Sequence, residues 1–96
     1  DVQQSQKTVE IESDISQMRN ENAKLTKALE WDEKMLALRS QIRKNAEVQV
    51  EQGVITSTDY LDEVIAEQLT ELTRSVDQIS LYQNQVMIQF ETGALK

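Results

Sequence analysis

The chemistry this chain can offer lies mostly in its carboxylates, and two of them, Asp59 and Asp62, stand three apart. That spacing puts both on one helix face. Asp59 also follows Thr56 by three positions, the spacing of a capping box. In such a box the Thr56 hydroxyl accepts from the amide of residue 59, and the Asp59 carboxylate accepts from the amide of residue 56. With Glu63, these acids fall in the first turns of a helix, where the helix dipole favours negative charge. A second acidic group, Glu10, Glu12 and Asp14, has no oxygen-rich loop around it of the kind calcium sites use. Paired acids recur elsewhere, but without pocket-forming architecture they do not compose a hydrolase. The chain has no cysteine and no histidine. It therefore lacks the ligands of a Cys/His zinc site, the thiols of a disulfide, a Cys–His nucleophile pair and a histidine proton shuttle. No catalytic residue, metal site or cofactor is expected, and no enzyme.

Other polar residues read as structural. Arg39, Arg43 and Lys44 form a basic cluster, either a solvated face or a contact with an acidic neighbouring helix. Trp31, among Glu30, Asp32 and Glu33, reads as a helix–helix contact. Asn22 and Gln83 interrupt apolar seams, where polar residues fix register and partner number.

The elements that position these residues follow from the breakers. The chain has 96 residues, four aromatics, no proline and two glycines, Gly53 and Gly93. That length allows one domain. So few aromatics suit a thin, elongated packing, and so few turn formers exclude a many-stranded β fold. The fold expected is all-α: a long antiparallel helical hairpin with a helix over about 1–52, a tight turn at 53–57 and a helix over about 58–92. At about 1.5 Å per residue the helices reach roughly 75 and 50 Å. Gly93 suits the left-handed position just past a helix end. Ile65, Leu69, Leu72, Val76, Ile79, Gln83, Val86 and Phe90 alternate steps of four and three, a coiled-coil seam. Ile11, Ile15, Met18, Asn22, Leu25 and Leu29 do the same in the first helix. Trp31, Met35, Leu38 and Ile42 then form a second line while Leu36 stays on the first. Folding back at the turn sets the second helix against roughly residues 16–52 and leaves about 15 residues overhanging. So slender a hairpin is expected to self-associate or to meet a partner.

Net charge is −7, and it is uneven: residues 54–96 hold seven acids and two bases, residues 1–53 ten acids and eight bases. An acidic chain of this kind does not suit nucleic acid, which needs a basic face. No apolar run of about 18 residues is present to cross a bilayer as a helix. The chain opens at Asp1, without an initiator Met or a signal peptide, and is expected to be an excised piece of a longer protein or a processed product.

The turn and second helix resemble the C-terminal helical hairpin of TolC-type outer-membrane efflux proteins. The shared pattern is Gly53, Thr56, Asp59, Leu61 and Gly93, with the 40-residue step between the glycines. It is best over residues 46–94, about half the chain. The resemblance implies residues 1–96 as a single hairpin fragment from the periplasmic α-barrel of a trimeric outer-membrane channel. The parent is membrane-anchored while this fragment is not. It further implies an adaptor-facing tip at Gly53, Val54, Ile55 and Thr56, docking a periplasmic adaptor (membrane fusion) protein. Asp59 and Asp62 would be pore or gate carboxylates, gathered three copies of each by the trimer. Such a cluster repels itself and attracts cations. Val50 and Ile55 stand where some relatives carry a tyrosine and an arginine that lock neighbouring hairpins, so that polar lock is expected to be absent or replaced by apolar contact. Glu63 stands where a small residue is usual. The alternative expectation is an acidic coiled-coil interaction module, either an adaptor's own hairpin or a signalling coiled coil.

Overall fold

The computed structural model describes residues 2–94; Asp1, Leu95 and Lys96 lie outside the described residues. The fold is the all-α hairpin expected. Helix α1 runs Val2–Glu51 and helix α2 runs Ser57–Ala94. They lie side by side in a body of 76 × 16 × 15 Å, with no strand among the described residues. Fifty residues without glycine or proline give α1 no place to break. Among the described residues no helix is long and apolar enough to cross a membrane.

The turn occupies 52–56, one residue earlier than expected, because two end motifs interlock there. Gly53 takes a φ of 75°, the left-handed conformation. Its amide donates to the Val50 carbonyl at 3.1 Å, and the Val54 amide donates to the Gln49 carbonyl at 2.8 Å. Those two bonds form a Schellman closure, with Gly53 just past the helix end. Two residues on, the capping box is present in both directions. The Asp59 amide donates to Thr56 Oγ1 and the Thr56 amide to Asp59 Oδ2, each at 3.1 Å. Ser57 is therefore the first helical residue. Ile55 and Tyr60, both half-buried, hold the two positions of a hydrophobic staple.

Gly93 does not end the second helix. Helix α2 continues through it to Ala94, and Gly53 is the only positive-φ glycine among the described residues. A lone glycine weakens a helix by up to about 1 kcal/mol relative to alanine but does not force it to stop.

The seam of α1 is the predicted one, extended: Ile11, Ile15, Met18, Asn22, Leu25, Leu29, Asp32, Leu36, Arg39, Arg43, Ala46 and Val50 are all buried or half-buried, in unbroken steps of four and three. The seam of α2 is not. Its half-buried residues include the series Tyr60, Glu63, Glu67, Thr70, Arg74, Asp77, Leu81, Asn84, Ile88 and Glu91, also in strict three–four alternation, flanked by Val64, Ala66, Ser75, Ser80 and Thr92. The apolar stripe from Ile65 to Phe90 sits two residues further along, about 200° around the helix. It therefore points away from α1: Leu72 is 59% exposed and Phe90 71%. Trp31, expected at a helix contact, is 63% exposed and Leu38 is exposed as well. Only Ile15 and Ala46 are buried apolar residues among those described. Residues 2–10 are exposed throughout, a shorter overhang than the 15 or so residues expected, because α2 runs far enough to leave Ile11 half-buried and Ile15 buried.

The two glycines should respond oppositely to alanine. Nothing lies within 4 Å of a Cβ at either position, so backbone alone decides. Gly53→Ala should cost about 1 kcal/mol through the left-handed φ. Gly93→Ala should stabilise by a few tenths to about 1 kcal/mol. Urea denaturation followed by circular dichroism reads both; equal signs would contradict the assignment of Gly53 alone to the turn.

Candidate functional site

The tip is built by the two interlocked end motifs. They hold Val54 at the apex, exposed, with Ile55 half-buried beneath it. Behind the apex, Ile42, Asn45, Ala46 and Gln49 of α1 and Ile55, Asp59, Asp62 and Glu63 of the turn and α2 line a shallow open groove. The structure thus brings the predicted tip residues and both predicted carboxylates to one end of the rod. It also separates the roles of the two aspartates. The Asp59 carboxylate is engaged by the Thr56 amide and completes the helix start. Asp62 is exposed and makes no hydrogen bond or ion pair. Glu63 turns inward, half-buried, and its Oε2 is buried without a donor. Val50 and Ile55 are both half-buried within the hairpin. Among the described residues no cluster of acidic side chains has the arrangement of a metal site.

Along the rod the helices meet through polar side chains in antiparallel step. Arg43 Nε donates to Glu67 Oε1 at 2.8 Å and Arg74 Nη1 to Glu33 Oε1 at 3.1 Å. Asn84 Nδ2 donates to the Met18 carbonyl at 2.7 Å, a strong bond to a carbonyl already inside a helix. Asn22 and Asn84 thus both sit in the seam, whereas Gln83 is exposed. Of the basic cluster, Arg43 meets the acidic second helix, while Lys44 stays exposed. The Arg43 guanidinium, and then the Ser40 hydroxyl, hold the Glu67 carboxyl below the ordinary glutamate value of 4.5. The same pairing raises Arg43.

Sequence reasoning missed this ladder. Its signal was available: the three–four series from Tyr60 to Glu91 places Glu67, Arg74 and Asp77 opposite Arg43, Glu33 and Asp32. The stronger apolar series two residues away masked it.

No protein-family model, curated protein or solved structure matches the chain. The class its geometry defines is a long helical hairpin with a structured tip and a polar seam.

The Arg43–Glu67 contact makes a pH prediction. A depressed Glu67 pKa contributes stability that is present above 4.5 and lost as pH falls through the folded value. In Arg43→Gln, the Glu67 carboxyl followed by NMR should titrate closer to 4.5 than in the parent chain. An unchanged midpoint would remove Arg43 as the cause.

Proposed function

We propose that this hairpin is part of the periplasmic wall of a TolC-like outer-membrane efflux channel, with its turn as the adaptor-docking tip. The observation that carries the reading is the two-sidedness of α2. One face meets α1 through a polar seam. The opposite face presents Leu61, Ile65, Leu69, Leu72, Val76, Ile79, Val86 and Phe90, all exposed. A helix in a closed barrel of paired helices needs a neighbour on both sides, and α2 has a surface for each. At about 25 cal/mol per Å², covering those eight side chains is worth on the order of 10 kcal/mol. That is comparable with the cost of associating two bodies, so the stripe calls for a helix that covers most of its length.

The tip supports the second half of the reading. Interlocked caps fix a short apex that exposes Val54 at the end of a 76 Å rod, a shape suited to end-on contact with another helical hairpin. In a trimer the unpaired Asp62 carboxylates, with the capping Asp59, would face a common axis and favour cations. The hairpin is non-catalytic in this reading. It conducts passively, while the adaptor and an inner-membrane pump supply specificity and energy. It also implies a periplasmic location for this part of an outer-membrane protein.

Two experiments test the proposal. In the full-length parent, cysteines placed singly at Val54, Ile55 and Thr56 should crosslink in cells to the hairpin of a periplasmic adaptor. Failure at all three positions would leave the acidic coiled-coil interaction module as the better reading. In solution the chain should self-associate in sedimentation, and Leu72→Glu with Ile79→Glu should shift it to monomer while its helical circular dichroism is retained. A parent chain that is monomeric at high concentration would sink the wall assignment.

A further inference from the structure

Midway along the hairpin, Asp32 of α1 and Asp77 of α2 stand opposite each other in the seam, between the Arg74–Glu33 and Asn84–Met18 contacts, with Asp77 close enough to act on the Asp32 carboxyl. Asp32 is 7% exposed, the one buried polar residue among those described. Its Oδ2 is buried and receives no N–H or O–H from the rest of the protein. Two ionised carboxylates are acceptors only, so nothing in that arrangement could satisfy the pair. One shared proton converts an acceptor into a donor and completes the bond. The groups facing Asp32 are Asp77 and Arg74 from α2 and Glu33 from its own helix. Arg74 is committed to Glu33 through Nη1, and its Nε is buried without an acceptor. The cation one turn away therefore does not neutralise the pair.

We propose that Asp32 and Asp77 form a proton-operated clasp: one shared proton ties the helices together at mid-hairpin, and its loss sets like charges against each other across the seam and loosens it there. The clasp is independent of the duct reading, because it needs only the pairing of α1 with α2. Its working range follows from the hydrogen bond to Asp77, burial and the charges of Asp77 and Glu33, which push the Asp32 carboxyl from 3.8 up to about 6. The folded state therefore holds the proton more tightly than the unfolded chain does. The stabilisation is fully present below 3.8 and is lost as pH rises through about 6. This is the reverse of the Arg43–Glu67 contact, which weakens as pH falls.

The chain has no native cysteine, so labels can be placed uniquely. Spin labels at the exposed positions Lys34 and Gln78 report the helix separation beside the clasp, and labels at Lys44 and Gln68 report it near the tip. Between about pH 5 and pH 7.5, either side of the Asp32 midpoint, the first distance should lengthen and broaden while the second stays constant. In Asp77→Asn, whose amide can donate to an ionised Asp32, the change should disappear. In the same variant the Asp32 carboxyl, followed by NMR, should fall from about 6 towards 3.8. If that variant loses helicity, Asp32→Asn makes the same comparison, and there too the pH-dependent change in helix separation should disappear. The clasp is overturned if Asp32 titrates in the ordinary aspartate range in the parent chain, or if its midpoint survives removal of Asp77. It is equally overturned if Asp32 titrates near 6 while the separation stays fixed, the result expected if Arg74 swings from Glu33 to neutralise the pair.

Discussion

The polar seam between α1 and α2 is the constraint on which the rest of the structure depends. Once Glu63, Glu67, Arg74, Asp77 and Asn84 face α1, the apolar stripe two residues along must face away, because each residue turns the helix by about 100°. The hairpin therefore consumes little of its own hydrophobic driving force. Ile15 and Ala46 are the buried apolar residues among those described, and neither is aromatic. Cohesion between the helices comes from the apolar residues of the α1 seam together with polar contacts that must be complementary: Arg43 to Glu67, Arg74 to Glu33, and Asn84 to a backbone carbonyl.

Such contacts are weak as sources of stability and strong as sources of register. Partly exposed ion pairs gain little net energy because water screens them and ordering long side chains costs entropy. Yet a slip of one helical turn would carry Glu67 away from Arg43 and Arg74 away from Glu33. The turn fixes the same register from the other end. The Schellman closure at Gly53 and the capping box at Thr56 leave five residues between the helices, so pairing begins in phase. Polar side chains inside paired helices are known to serve register in this way. Here the Asp32–Asp77 contact is the member of the ladder that depends on a proton rather than on a permanent charge.

The helices, the turn and its chemistry were legible in the sequence because they depend on local rules. A single glycine in a long breaker-free chain and a Thr–x–x–Asp spacing act through neighbouring backbone groups, and nothing distant can override them. The seam of α1 was legible for a related reason: its apolar residues from Ile11 to Leu29 are the face that meets α2. The seam of α2 was not. Hydrophobic periodicity reports which face of a helix most needs covering, not which neighbour covers it. In α2 the most apolar face and the face against α1 are different faces. Trp31 misled in the same way, since an aromatic signals a contact without saying that the contact lies within the chain. Gly93 misled because the sequence around it is still compatible with helix, so a permissive residue was read as a required one. At the tip, geometry divided what spacing had joined: Asp59 completes a cap and Asp62 is unpaired.

The placement of polar contacts inside the hairpin and apolar contacts outside it follows from chain connectivity. A five-residue connection holds α1 and α2 at a high effective concentration, so their pairing needs little driving force beyond specificity. A helix from another chain, or from a distant part of the same chain, has no such tether and must be recruited by buried apolar area. The charge distribution agrees. The acids of α2 lie at the tip and along or beside its inner seam, whereas the stretch 78–90 carries no charge at all. An acidic molecule that meets copies of itself must keep like charges off the meeting surface, and this stretch does so over most of the stripe's outer half. An interface meant for a basic partner would instead leave acids on that face. In the reading proposed above, the uncharged, heptad-spaced stripe suits a neighbouring helix of similar character, and the acidic residues are left for the tip and for the seam that the tether already closes.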